Sequence, residues 1–432
     1  MSASVTPTDI EETLAQSEPV AAPVTLQQRI SSLDFIRGLA VMGILAANIV
    51  NFGQPSSAYF WPEAFLVDVG DPGGVQWIAQ FILVDGKMRG LFTLLFGAGM
   101  YLFMERAWAR GSTRWLQVWR LVVLLGFGLA HFYLIWMGDI LAMYATLGFV
   151  ALGFMRLEAG TQIRVGLFGY ALGCILLGGM FLADYLSTET QAFGSSPELL
   201  EQQALAATQF ETSQADEAKI SALMQSGDYA GLVAERFKQQ WFMPLINPLL
   251  FGLETLPLML IGMGLYRQGF FSDGFDPAKM KRWGWAGVGI GGALTLALAL
   301  FVKSTGFNFN AANGALIGWS MLPRLLMTLG LAALLVEYSK SATGWLAARI
   351  TAAGRAAFTN YLGTSVVMMI VFQGWGLGLF GQLNRPGLYL VTFLAWVLML
   401  AWSQPWLERF RYGPLEWLWR CLTYRQLFPL RR

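Results

Sequence analysis

Histidine occurs once in this chain, as His131, and cysteine twice, as Cys174 and Cys421; charged residues fill only 13% of the 432 positions. A transition-metal centre needs several clustered His, Cys or carboxylate ligands, so this inventory argues against any metal site. Two distant cysteines supply no disulfide framework. A net charge of +2 gives no basic footprint for nucleic acid. The glycine-rich pieces "LFGAGM" and "GIGGAL" match no nucleotide-binding order and read instead as close helix packing. What fills the chain is apolar: 55% of residues are hydrophobic, with 31 Phe and 17 Trp, and the mean hydropathy is +0.50.

A bilayer core about 30 Å thick is crossed by roughly 20 apolar residues. Runs of that kind recur near 33–52, 76–104, 117–137, 139–155, 163–183, 242–266, 283–302, 314–337, 356–380 and 387–406. They predict an all-α, polytopic transmembrane helical bundle of about ten spans. Residues 1–28, with Pro7, Glu11, Glu12, Glu18 and Pro23 and no apolar core, read as a flexible cytoplasmic leader. Every even-numbered run is followed by basic residues, from Arg106, Arg110, Arg114 and Arg120 after the second to Arg409, Arg411 and Arg420 after the tenth. The positive-inside rule then places both termini in the cytoplasm. Membrane helices one to five fall within 29–183 and six to ten within 241–407. Between them, 184–240 reads as an acidic, extracytoplasmic insert of short helices, and 408–432 as a basic cytoplasmic tail.

Several polar residues interrupt these runs. Eleven positions separate Arg37 from Asn48, an advance of roughly 16 Å that returns to nearly the same side of an ideal helix. Asp34, one turn before Arg37, is its natural ion partner. The two polar groups therefore form one stripe; the plainer reading makes Arg37 an interfacial anchor and Asn48 an interhelical hydrogen bonder. Within the second run, Asp85, Lys87 and Arg89 predict a break near Gly86, with the charges either just inside the outer surface or snorkelling from an interfacial loop. Glu254 and Arg324 fall at similar depth in two other runs and suit a buried pair or a polar cavity. Pro244, Pro248 and Pro257 can open the backbone around Glu254. Asn360 and Tyr361 are further candidates.

His131 is the one side chain whose ordinary pKa suits a general base near neutrality. It precedes the turn at Gly138, and Asp139 can cap the following helix or reach back to orient the imidazole. A solitary membrane histidine can equally serve as a packing hydrogen bonder.

The strings "RISSLDFIRGLAVMGILAANIVNF", "LFTLLFGAGMYLF", "LAHFYLIWMGDILAMYATLG", "AGRAAFTNYLGTS" and "GPLEWLWRCLTY" resemble the bacterial YeiB-like family, which carries domain of unknown function 418. That resemblance runs from about residue 29 to 425 and implies a multi-pass protein of the bacterial inner membrane. More distantly, the first helix is similar to that of membrane acyltransferases that modify cell-surface sugars. In those, an arginine is followed eleven places later by histidine, or by asparagine in the heparan-alpha-glucosaminide N-acetyltransferase type, as Arg37 and Asn48 are here. The likeness implies cytoplasmic acyl-CoA as donor, no permanently bound cofactor, and an extracytoplasmic glycan or lipid-linked acceptor. Those acetyltransferases are expected to carry a histidine before their second helix. Residues 75–89 hold none here, so His131, oriented by Asp139, is the only candidate base. Asp34, Arg37, Asn48, Lys87, Arg89, Glu254, Arg324 and Asn360 are then candidates for the donor or substrate path. A transporter for a small or amphipathic solute, using Glu254 and Arg324 at the midplane, is the competing expectation. An envelope scaffold contacting partners through the insert is a third.

Overall fold

The computed structural model of the protein describes residues 31–190, 192, 194 and 197–432; the leader expected over 1–28 lies outside the described residues. In chain order the helices are α1 (Ser31–Gly53), α2 (Val75–Leu83), α3 (Lys87–Trp108), α4 (Arg114–Ala130), α5 (Leu141–Ala151), α6 (Ala159–Glu189), α7 (Pro197–Ser226), α8 (Tyr229–Gln239), α9 (Met243–Arg267), α10 (Pro277–Ser304), α11 (Phe309–Asn313), α12 (Met321–Ser341), α13 (Trp345–Arg355), α14 (Ala357–Phe372), α15 (Arg385–Arg409) and α16 (Pro414–Tyr424). Single π-helical turns extend α4 at His131–Ile135 and precede α12 at Gly314–Trp319. Among the described residues the only β pairing is an isolated bridge between Phe410 and Arg431.

Among the described residues, seven helices are long and apolar enough to cross a membrane: α1, α4 with its π turn, α6, α9, α10, α12 and α15. The bent pair α13 and α14, which meet at 86°, is apolar enough to be a broken span or a re-entrant loop. Of the remaining expected spans, α3 is 22 residues long but carries Lys87, Arg89, Glu105 and Arg106. The other, Leu141–Phe154, is apolar but shorter. These two are sheltered by neighbours on several sides: α3 packs against α1, α9 and α12, and α5 against α4 and α9. Burial in protein relieves a helix of the need for a full lipid-facing apolar surface.

Helix α1 is the hub, packed against α3, α12, α13, α14 and α15. Its buried positions include Leu33, Ile36, Ala40, Val41, Ile44 and Leu45, the three- and four-residue spacing that keeps one side of a helix on its neighbours. Lipid tails are as apolar as leucine side chains, so close packing and small residues drive association here. At the crossing of α1 and α13, a side chain on Gly38 would overlap the Ile350 carbonyl, and one on Gly354 would overlap the Asp34 carbonyl. Gly97 of "LFGAGM" lies in the same way against the backbone of Met259, where α3 crosses α9.

The structure departs from the sequence reading in four places. The second run does break, but Lys87 is fully buried and donates to the Phe81 carbonyl, so it does not snorkel. Helix α6 continues to Glu189, past the expected start of the insert, and beside the short α8 of 11 residues the insert holds one helix of 30 residues, α7, where only short helices were expected. Arg355 does not open the ninth span; it closes α13 at the bend. The expected basic tail folds back as α16, which packs on α4 and α14.

Candidate functional site

The polar stripe on α1 faces two separate cavities. Leu33, Asp34 and Arg37 line one of about 310 Å³. Ile44, Ala47, Asn48 and Asn51 line another of about 300 Å³. Between them Val41 is buried in a hydrophobic cluster with Leu141, Tyr144 and Tyr361.

The first cavity is basic at its mouth. Arg37, Arg106, Arg110, Arg120, Arg355 and Arg420 line it against two carboxylates, Asp34 and Glu416. Asp34 Oδ1 accepts from Arg37 Nη1 at 2.7 Å. The Arg120 guanidinium lies between aromatic rings, 4.3 Å from the Phe103 centroid and 4.4 Å from that of Trp419. Further along the helices the lining turns apolar, with Phe92, Phe96, Leu121, Leu124 and Leu141. The cavity therefore pairs a cationic rim with a greasy interior, which suits an anionic amphiphile.

Part of that rim is supplied by α16. Glu416 accepts from the backbone N–H groups of Phe358 at 2.7 Å and Thr359 at 3.1 Å, and from the Thr359 hydroxyl at 2.5 Å. A carboxylate at the first turn of α14 satisfies donors that the helix itself cannot. Burial raises the Glu416 pKa above the ordinary carboxylate value, and the bonds from Thr359 and Phe358 act in the opposite sense. Two of the motifs read from the sequence, "AGRAAFTNYLGTS" and "GPLEWLWRCLTY", thus meet at one cap.

The second cavity sets a group of polar side chains among apolar ones such as Ile44, Met143 and Phe251. Asn48, Asn51 and Asn247 line it with Tyr59, Asp85, Arg89, Asp139 and Arg324. Behind this wall Glu254 is shared by two arginines. Arg324 Nη1 donates to both of its oxygens at 2.9 Å, and Arg89 Nη2 donates to Oε2 at 2.6 Å. Arg324 Nη2 is further held by Ser320 Oγ at 2.8 Å and by the Leu316 carbonyl. The expected pair is therefore a triad, with Arg89 as the member that sequence position alone did not connect.

His131 and Asp139 meet across the turn between α4 and α5. Nδ1 of His131 lies 2.8 Å from Asp139 Oδ1, and the other carboxylate oxygen accepts from Ala142 N at 2.6 Å. Asp139 thus caps α5 and contacts the imidazole at once. Only Asp139 lines a cavity; His131 is wholly buried, and its Nε2 has no hydrogen-bond partner. The imidazole ring packs against Tyr361, 5.3 Å between centroids, and the Tyr361 hydroxyl accepts from Ile140 N at 3.3 Å. The start of α5 is the partition itself: Ile140 and Met143 face the polar cavity, Leu141 and Tyr144 the basic one.

Of the residues singled out from the sequence, Asp34 and Arg37 line the basic cavity, and Asn48, Arg89, Asp139 and Arg324 the polar one. Glu254 stands behind the second wall. Lys87, His131 and Asn360 line neither cavity. Asn360 is satisfied by packing partners: its Nδ2 donates to Ala353 O at 2.9 Å and Ser403 Oγ at 3.1 Å, and its Oδ1 accepts from Trp402 at 2.9 Å. It ties the bend between α13 and α14 to α15. Sequence reasoning missed Asn51, Asn247 and Arg420 as cavity residues. Asn51 was within reach, since it continues the Arg37 and Asn48 stripe by one turn.

Residues 265–426 match a family described as "Protein of unknown function (DUF418)". Over 424 residues the chain is 30% identical to the uncharacterized protein YxaH of Bacillus subtilis (strain 168), covering 94% of this chain and 97% of that one. It is 28% identical to the uncharacterized protein YeiB of Escherichia coli (strain K12), covering 93% and 98%. No solved structure matches the chain. With that identity running over almost its whole length, the two-cavity bundle belongs to the YeiB-like family of proteins that carry the domain of unknown function 418.

Proposed function

We propose that the protein is a transmembrane acyltransferase of the bacterial inner membrane. In this reading an acyl-CoA occupies the basic cavity from the cytoplasm, and an extracytoplasmic glycan or lipid-linked acceptor occupies the polar one. The observation that carries it is the arrangement of two chemically different cavities on either side of one partition at the start of α5. A cationic rim over an apolar interior complements a donor that joins a phosphate-bearing head to a thioester arm. Asn48 and its neighbours complement a hydroxyl-bearing acceptor.

In the transfer, the acceptor oxygen or nitrogen attacks the thioester carbonyl. A C–O or C–N bond forms, the C–S bond breaks, and CoA leaves as its thiol. The proton lost by the nucleophile passes to the Asp139–His131 pair, with Asp139 as the member at the cavity wall and His131 behind it, and from there to the departing sulfur. Arg37 and Arg420 hold the donor's anionic head, while Asn48 orients the acceptor. Movement of Leu141 and Tyr144 joins the two cavities during turnover. The test is turnover of labelled acetyl-CoA by the purified full-length protein in lipid nanodiscs. Asp139→Asn and His131→Ala should each abolish it, and undiminished turnover in Asp139→Asn would sink the assigned role.

One observation favours a second reading. Two cavities closed off by a thin partition also suit a carrier that opens to each side in turn, with the Glu254 triad at the inner wall of one of them. Solute flux into proteoliposomes that needs no acyl-CoA and survives loss of His131 would establish that reading instead.

A further inference from the structure

We infer that the ligand of the polar cavity is a polyhydroxylated molecule bearing a phosphate or carboxylate group, with Arg89 as the residue that binds its anion. This deepens the reading of that cavity as the acceptor site, but it does not depend on acyl transfer taking place.

The inference starts from the charges. Two guanidiniums, those of Arg89 and Arg324, share the single carboxylate of Glu254. An arginine cannot shed its proton under these conditions. Glu254 therefore pairs directly with both guanidiniums, and the other carboxylates on the cavity wall are those of Asp85 and Asp139. The nearby Lys87 and Asp85 are both buried. Asp139 keeps its charge, but its oxygens bond His131 and Ala142 N, and among the described residues it forms no ion pair with Arg89 or Arg324.

The two arginines are not equivalent. Arg324 is 3% exposed in its side chain and locked by Glu254, Ser320 and Leu316. Arg89 is 26% exposed, gives Nη2 to Glu254, and lies 5.1 Å from the Phe251 ring centroid at the cavity wall. Its remaining donors are the ones available to a ligand anion, and guanidinium geometry favours a phosphate or carboxylate.

The hydroxyl-rich part follows from the amides. Asn48 and Asn247 line the same cavity, are half-buried, and make no side-chain hydrogen bond among the described residues. Amides so placed, with both donors and acceptors on offer, are suited to paired recognition of hydroxyl groups.

The experiment is calorimetric titration of the full-length protein in nanodiscs, without acyl-CoA, using glucose 1-phosphate, glucuronate and glucose as probes. We expect at least one of the charged sugars to bind about tenfold or more tightly than glucose. Arg89→Gln should remove that preference, Arg89→Lys should restore part of it, and Asn247→Ala should weaken the charged sugar about threefold. Equal binding of glucose, a preference untouched in Arg89→Gln, or no binding of either charged sugar would each overturn the inference. Asn247→Ala lies away from the ion triad, so it still reports on the site if the arginine variants fail to fold. Because no donor is present, failure of acyl transfer leaves this result unaffected.

Discussion

The two cavities lie along the same stripe of α1, yet each is charged in a different way. In the basic cavity six arginines face two carboxylates, and two of them, Arg120 and Arg420, stack on aromatic rings. In the polar cavity the cations are tied into a triad with Glu254, and three amides, Asn48, Asn51 and Asn247, lie among apolar neighbours. The difference follows from depth. Near the membrane surface, water and headgroups screen an excess of like charge, so arginines can gather for a ligand. Further in, each ion needs a partner, so charge is arranged in nearly neutral sets and recognition falls to a single accessible group.

That contrast makes Glu254 the most sensitive position in the molecule. Glu254→Ala leaves Arg324 buried without its carboxylate and should cost about 3–5 kcal/mol, read as a marked fall in thermal stability in detergent. Removing a rim arginine, by contrast, should barely change stability; if Arg420→Ala proved as damaging as Glu254→Ala, the distinction between the two regions would fail. At the partition, Asp139→Asn should lower acetyl-CoA turnover by about 100-fold or more, the scale of a lost general base, with little change in KM. Arg420→Ala should instead raise KM for acetyl-CoA by about tenfold with kcat nearly unchanged, as expected for a contact of about 1.4 kcal/mol that binds donor and transition state alike. The smallest effect concerns the cap that anchors α16. Glu416→Ala should cost about 1–2 kcal/mol, and a protease-accessible C-terminus in that variant would show that the helix had come away from α14.

The fold was legible where one helix carried the whole signal. The Arg37 and Asn48 stripe could be read because eleven residues on a helix return to the same face. The contact between His131 and Asp139 was within reach because only one tight turn separates them. Glu254 and Arg324 could be matched by depth, since each interrupts an otherwise apolar run. What could not be read were partners brought together from distant segments. Arg89 reaches Glu254 across 165 positions, and Glu416 caps α14 from 57 positions away. No local period encodes such pairs. The bend at Ala356 was hidden because it falls where the run over 356–380 begins, and periodicity does not report direction. The arginines of the basic rim were visible but carried a simpler meaning: the positive-inside rule accounts for them, and a ligand-binding role leaves no extra trace in sequence.

The assignment of donor and acceptor to opposite faces is tested most directly by sidedness. Protein reconstituted in one known orientation would receive labelled acetyl-CoA either outside or inside sealed vesicles, with the acceptor on the opposite side. Transfer should occur only when acetyl-CoA meets the face that carries Arg37 and Arg420, and the label should appear across the membrane. Equal transfer from both faces, or label found only on the donor's side, would contradict it.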